Sequence, residues 1–203
     1  MSVTNYTELQ ARVANELDRD DLASRIPEWI VECEARLNRE LRCPEMETTS
    51  SLTQTAGVCP LPANYLEYLS VTIAGKGELK PLSAGQANSF FGGSPPSGTP
   101  RYFSADKATS TLRVYPTSSD AVDVRMYVAL PPLASSTTNW LLTKYPEVYI
   151  YGSLLPSASY LLDDARIATW GTLLDKSLSE IAGKMTGSRW GVASRTEKRV
   201  EPS

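Results

Sequence analysis

The chain has 203 residues, 41% hydrophobic and 21% charged, a composition that supports a buried core and argues against wholesale disorder. Its 20 Lys and Arg stand against 23 Asp and Glu, a formal charge of -3, so no global basic field exists to hold nucleic-acid phosphates. Histidine is absent, which removes the commonest metal ligand, the usual general base and every Ser-His or Cys-His nucleophile.

Three widely spaced cysteines, Cys33, Cys43 and Cys59, match neither a disulfide framework nor a zinc site and suit a reducing cytoplasm as small buried hydrophobes. The start of the chain carries no basic n-region or apolar core of a signal peptide, and no apolar run approaches the roughly 18 residues of a membrane span. The expectation is a chain that neither is exported by a signal peptide nor crosses a membrane.

The first helix is predicted from Tyr6, Leu9, Val13 and Leu17, which make one apolar stripe, with Asn5 as N-cap and Glu8 three residues on. A single turn around Leu22 to Ser24 follows. Pro27 then opens the strongest helix, with Ile26, Ile30, Cys33, Leu37 and Leu41 in register and Cys43-Pro44 as its stop. Glu32 with Arg36, and Arg36 with Glu40, are i,i+4 partners; a solvated charged face is the plainer reading of them.

From about Glu47 to Leu130 the period drops to two and Thr, Ser, Gly and Pro become dense, the signature of β structure. Leu69, Val71 and Ile73 alternate with polar residues, as do Val122, Val124, Met126 and Val128, so each set is predicted to line a core. Arg101 to Ser104 and Thr111 to Tyr115 read as a hairpin. Gly92 to Pro100 reads as a flexible surface loop without a phosphate-binding pattern.

Helical periodicity returns after Pro131-Pro132. A helix starting between Thr143 and Pro146 carries Val148, Tyr151, Leu155, Ala158 and Leu162, with Pro156 expected to kink it. Asp163 or Asp164 caps a last helix bearing Ile167, Trp170, Leu174, Ile181 and Met185, with Gly187 placed to end it. Residues 188–203 have no apolar period. The fold class is therefore α+β: residues 1–46 form N-terminal helices, 47–130 a β-rich insertion, 131–187 C-terminal helices packing on the first ones, and 188–203 an extended arm.

Catalytic patterns are sparse. The acidic pairs Asp20/Asp21 and Asp163/Asp164 sit at helix starts, where capping explains them, and Glu32/Glu34 is the remaining pair a glycosidase reading would need. Ser and Thr follow no nucleophile-elbow pattern. Trp29, Trp140 and Trp170 fall beside apolar stripes or helix entries and read as core. Trp190 lies in the tail beside Arg189, the position of an aromatic anchor for a partner.

Several segments then stand in one order. Pro27 to Leu41 reads Pro-Glu-Trp-Ile-Val-Glu-Cys-Glu-Ala-Arg-Leu-Asn-Arg-Glu-Leu; Leu61-Pro62-Ala63-Asn64-Tyr65-Leu66 follows, then Pro81-Leu82, Arg101-Tyr102-Phe103 and Leu112-Arg113-Val114-Tyr115-Pro116. Asn139-Trp140-Leu141-Leu142, Tyr145 to Gly152, and Leu161-Leu162-Asp163-Asp164 with Arg166 and Trp170 close the series. Together, over roughly residues 4 to 187, they resemble the head-to-tail adaptor (connector, or tail accessory factor) family of tailed bacteriophages. Pro156 and the tail from Ser188 depart from that pattern.

The resemblance implies a structural virion protein without enzymatic activity or cofactor, forming a homo-oligomeric ring, usually of twelve copies, beneath the portal protein at the head-tail junction. It would be assembled in the bacterial host cytoplasm, join a nozzle or tail-completion component, and let genome DNA pass without sequence-specific binding or membrane contact. Glu28, Glu32, Arg36 and Arg39 are the expected ring-interface residues, and Trp190, Arg195, Lys198 and Arg199 the expected portal-binding ones. Two alternatives are a virion-associated wall-degrading glycosidase and an assembly factor that never enters the particle. No catalytic, cofactor or metal residue is expected, and a tail without function is the alternative to a docking arm.

Overall fold

A computed structural model describes the backbone of residues 3–161 and 164–190, with side chains except at positions 20, 164 and 184–190. The chain falls into two compact units, one made of Met1–Glu45 with Leu130–Ser203 and the other of Met46–Ala129. It is a mixed α+β structure of helices and mainly antiparallel sheets.

In the first unit, α1 (Tyr6–Leu17) begins where the Asn5 side chain accepts the Glu8 N–H, and Glu8 returns to the backbone N–H and hydroxyl of Thr4, both at 2.7 Å. Its stripe of Leu9, Val13 and Leu17 is buried. A 3-10 turn at Asp20–Leu22 leads to α2 (Ile26–Glu40), which has Pro27 in its first turn and buries Ile26, Trp29, Ile30, Cys33, Glu34 and Leu37. The helix ends as Arg42 donates to the carbonyls of Asn38 and Leu41 at 2.9 and 2.6 Å, satisfying acceptors that every helix end leaves open.

The chain re-enters this unit at Leu130. A one-turn helix α4 (Leu133–Ser136) is followed by α5 (Trp140–Lys144), α6 (Pro146–Leu161) and α7 (Asp164–Trp190). The helix expected to start between Thr143 and Pro146 is α6, which begins at Pro146; the short α5 before it is an element the sequence reading did not include. Asn139 caps α5 by accepting the Leu142 N–H at 2.9 Å, and α6 starts afresh at Pro146. α6 is the hub: it packs against α1, α2, α5 and α7 and buries Val148, Tyr149, Leu154 and Ala158. Helical structure continues past Pro156 to Leu161. α7 does not end at Gly187 but reaches Trp190, so residues 188–190 are helical rather than extended. A glycine allows a left-handed cap without enforcing one.

The second unit holds two four-stranded sheets. One runs β1 (Glu47–Leu52), β8 (Val122–Val128), β3 (Tyr65–Ile73), β4 (Gly77–Glu78), and the other β2 (Val58–Pro60), β7 (Thr111–Tyr115), β6 (Tyr102–Asp106), β5 (Lys80–Pro81). All pairs are antiparallel except β5 with β6. Val71, Ile73, Val122, Val124 and Met126 from the first sheet and Cys59, Phe103, Leu112 and Val114 from the second share one buried cluster. The β6–β7 turn is fixed by Asp106, whose carboxylate accepts the Ala108 N–H and the Thr109 hydroxyl, both at 2.9 Å.

Three local readings of the sequence change here. Leu69, expected inward with Val71 and Ile73, is 37% exposed, because an irregularity in the β3–β8 register between Tyr68 and Ser70 reverses the faces upstream of it. Tyr68 turns in instead, edge-on to Phe103 at 4.9 Å. Helix α3 (Ala84–Phe91) has no apolar period to announce it; a capping box of Ser83 and Gln86 starts it. The Gly92–Pro100 loop is tied down, with Thr117 N–H donating to Pro96 and Gly98 N–H to Thr117.

Candidate functional site: helix faces and an arginine-rimmed cleft

α2 presents two chemically different faces. On its buried face Glu34 Oε1 accepts the Leu133 N–H and, one turn on, Asn38 Oδ1 accepts the Leu130 N–H, both at 2.8 Å. These side chains hold the segment by which the chain re-enters the helical unit. The same segment is gripped from the other side by Asn139, whose Nδ2 donates to the Pro131 carbonyl at 3.1 Å and to the Tyr149 hydroxyl at 2.7 Å. Burial lifts the Glu34 carboxyl above the ordinary range, with the Leu133 N–H offsetting part of that, and burial likewise pushes up the Tyr149 phenol.

The opposite face carries the residues expected at a ring interface. Glu28 and Glu32 are exposed, and Arg25 approaches Glu28 at 3.6 Å. Arg36 is half-buried and committed within its own subunit, to Glu40 at 2.8 Å and to Asp175 of α7 at 3.6 Å, so it turns toward Glu40 rather than Glu32. Arg39 is exposed and has no ion-pair partner among the described residues. Glu32, Arg36 and Arg39 line a cleft of about 510 Å³ together with Cys33 and Ala35 of α2, Gly152, Leu155, Pro156 and Ser159 of α6, and Ile167 of α7.

The structure therefore gathers three of the four expected interface residues around one cleft, with Glu28 farther along the same helix. The Trp190 backbone ends α7, and its side chain lies outside the described atoms; Arg195, Lys198 and Arg199 lie outside the described residues. Sequence reasoning missed Glu34, Asn38 and Asn139 as organisers of the re-entry. Their legible signal was local: Asn139 stands just before an apolar run, and Glu34 and Asn38 are four apart on a helix.

Chemically, Glu32 and Glu34 do not form a working pair, since one faces the cleft and the other is buried on a backbone N–H. Two of the three thiols are poor nucleophiles: burial pushes Cys33 up to about 12 and Cys59 to about 11, so both stay protonated near neutral pH. Among the described residues no group of three or more His, Cys, Asp or Glu side chains can hold a metal. No helix among them is long and apolar enough to cross a membrane.

The family described as SU10 adaptor protein matches residues 4–198, and the chain belongs to that family of phage head-to-tail adaptors. Among curated proteins the sequence finds no match.

Proposed function

We propose that this protein is a virion component that forms a ring, of twelve copies, beneath the portal and joins the DNA-filled capsid to the tail. The observation that carries the reading is family membership over residues 4–198, nearly the whole chain. A ring needs heterologous side-to-side contacts between identical subunits, and the mixed charges of Glu28, Glu32 and Arg39 on one open helix face suit complementary contacts. The net charge of -3 suits a channel through which DNA slides.

Residues 188–203 are the proposed portal-docking arm. Trp190 supplies an aromatic anchor, and Arg195, Lys198 and Arg199 pair with carboxylates on the portal. The thirteen residues after Trp190 span about 43 Å when extended at roughly 3.3 Å each, enough to run across a neighbouring protein. Assembly takes place in the host cytoplasm, and a nozzle or tail-completion component takes the opposite face of the ring. Too few apolar groups lie on the proposed side faces for an obligate interface, so the free protein is a monomer or small oligomer and the ring forms on the portal.

Two measurements test the reading. Quantitative mass spectrometry of purified particles is expected to find the protein in multiple copies, and its absence would remove the adaptor role. Deleting residues 188–203 is expected to abolish co-purification with portal while the helical signal of the free protein stays nearly unchanged. Normal portal binding by the truncated protein would eliminate the arm.

A further inference from the structure

Phe90 is 66% exposed, the most open of the large hydrophobic side chains among the described residues. It is not a loose side chain on a loose loop. Its ring stands edge-on to Phe91 at 6.5 Å, and Phe91 is stacked on Tyr115 at 5.2 Å with an interplanar angle of 10° and tilted against Tyr102 at 6.2 Å. The capping box of Ser83 and Gln86 fixes the start of α3, and the Gly92 N–H closes its end on the Asn88 carbonyl. α3 has no charged residue, so Phe90 is an uncharged aromatic knob on a preorganised base.

The helical unit carries the matching hole. The cleft between α2, α6 and α7 is larger than a phenyl group, and its lining is apolar at Leu155, Pro156 and Ile167 and charged at Glu32, Arg36 and Arg39. An arginine without an ionic partner beside an apolar lining suits the negative face of an aromatic ring, and attraction between the two strengthens as water leaves.

We propose that Phe90 of one copy inserts into the α2/α6/α7 cleft of a second copy, with the Arg39 guanidinium over its ring. Knob and hole lie on different parts of one chain, so the contact is heterologous: each copy uses its knob on one neighbour and its hole on another, which closes into a ring when the rotation allows. The proposal rests on the ring reading and names its side-to-side contact. A single aromatic in an open cleft is a weak bond. It therefore suits a protein that stays small when free and closes its ring on a template.

The test is a mixing experiment with full-length protein at several hundred micromolar, followed by sedimentation velocity. Wild type is expected to form reversible species larger than a dimer. Phe90→Asp removes the knob, and Ala35→Trp, at an exposed position of the cleft wall, fills the hole; each variant alone is expected to be monomeric. Mixed, they retain one intact knob and one intact hole per pair and are expected to stop at the heterodimer. Wild-type behaviour from either variant, or no heterodimer on mixing, overturns the proposal.

A second measurement locates the contact. Protein with p-benzoylphenylalanine at position 90, mixed with isotope-labelled wild type and irradiated, is expected to crosslink between molecules to peptides spanning residues 32–39 or 152–167. Crosslinks elsewhere, or none between molecules, overturn it. Failure of the ring reading looks different: particles would then contain a single copy of the protein, whereas multiple copies with a silent Phe90→Asp variant would remove only this contact.

Discussion

A methyl group placed on Gly152 of α6 would lie 2.4 Å from the Sγ of Cys33 on α2. The two helices therefore meet at a separation that a residue without a side chain at 152 makes possible, and the Cys33 sulfur, 4.0 Å from the Val148 carbonyl, occupies the space. In an open helix Gly→Ala stabilises by up to about 1 kcal/mol. Here the sign is expected to reverse, because overpacking a filled core costs about 1–3 kcal/mol. Gly152→Ala should lower the midpoint of urea unfolding, and the same change in a Cys33→Ala background should be neutral or stabilising. Equal effects in both backgrounds would contradict the contact.

Glu34 gives a pH signature of its own. Its carboxyl titrates above the ordinary carboxylate value when folded, because it is buried, so the folded state binds that proton more tightly than the unfolded chain. Stability from this residue is then highest in acid, declines as pH rises from the unfolded to the folded value, and is flat beyond it. Glu8, Asp21, Asp106 and Asp120 are held low by hydrogen bonds and push the opposite way. Wild type alone is therefore uninformative, and the difference from Glu34→Gln isolates the residue. Glutamine keeps an oxygen for the Leu133 N–H. The variant is expected to gain relative stability across that window and to hold the gain at neutral pH; a flat difference curve would place Glu34 in water.

Asn139 serves three partners at once: the Leu142 N–H, the Pro131 carbonyl and the Tyr149 hydroxyl. Losing a cap costs about 0.5–2 kcal/mol, and a buried partner left unsatisfied about 1–3 kcal/mol. Asn139→Ala is expected to cost about 1.5–5 kcal/mol in chemical denaturation, on those two figures combined. Asn139→Asp keeps the cap acceptor and loses the amide donor, so it should fall between alanine and wild type. An alanine variant within about 0.5 kcal/mol of wild type, the usual range of a surface substitution, would show that the network contributes little.

What could be read from the chain follows the range of the interactions involved. Stripes such as Leu9, Val13 and Leu17, caps such as Asn5 with Glu8, and the change of period after Glu47 are local, and they gave the α+β class and most helices. The register irregularity that turns Leu69 out depends on how β8 pairs with β3, which period-two counting along one strand does not contain. α3 is short and uniformly small and polar until Phe90, so only its capping box marked it. Glu34 was hidden for the opposite reason: a carboxylate on a charged helix reads as solvated until its backbone partner, 99 residues away, is known. The cleft was equally invisible, since its walls come from three helices.

Arg36 and Arg39 allow folding and the proposed assembly contact to be tested separately. Arg36 reaches Glu40 and, on another helix, Asp175, but both acceptors are open to solvent. Exposed pairs of this kind contribute about 0–1 kcal/mol. Arg36→Ala is thus expected to lower thermal stability slightly and to act on assembly only through that loss. Arg39 has no ion pair to lose among the described residues and lines the cleft. Arg39→Glu should leave the melting curve of the free protein unchanged, while replacing the cation of the proposed ring contact with an anion. It is expected to reduce incorporation into particles several-fold, measured as the ratio of this protein to portal in purified virions, and to weaken the crosslink from position 90. Unchanged incorporation would take Arg39 off the assembly surface, and a lowered melting temperature would mean that its role lies inside the subunit.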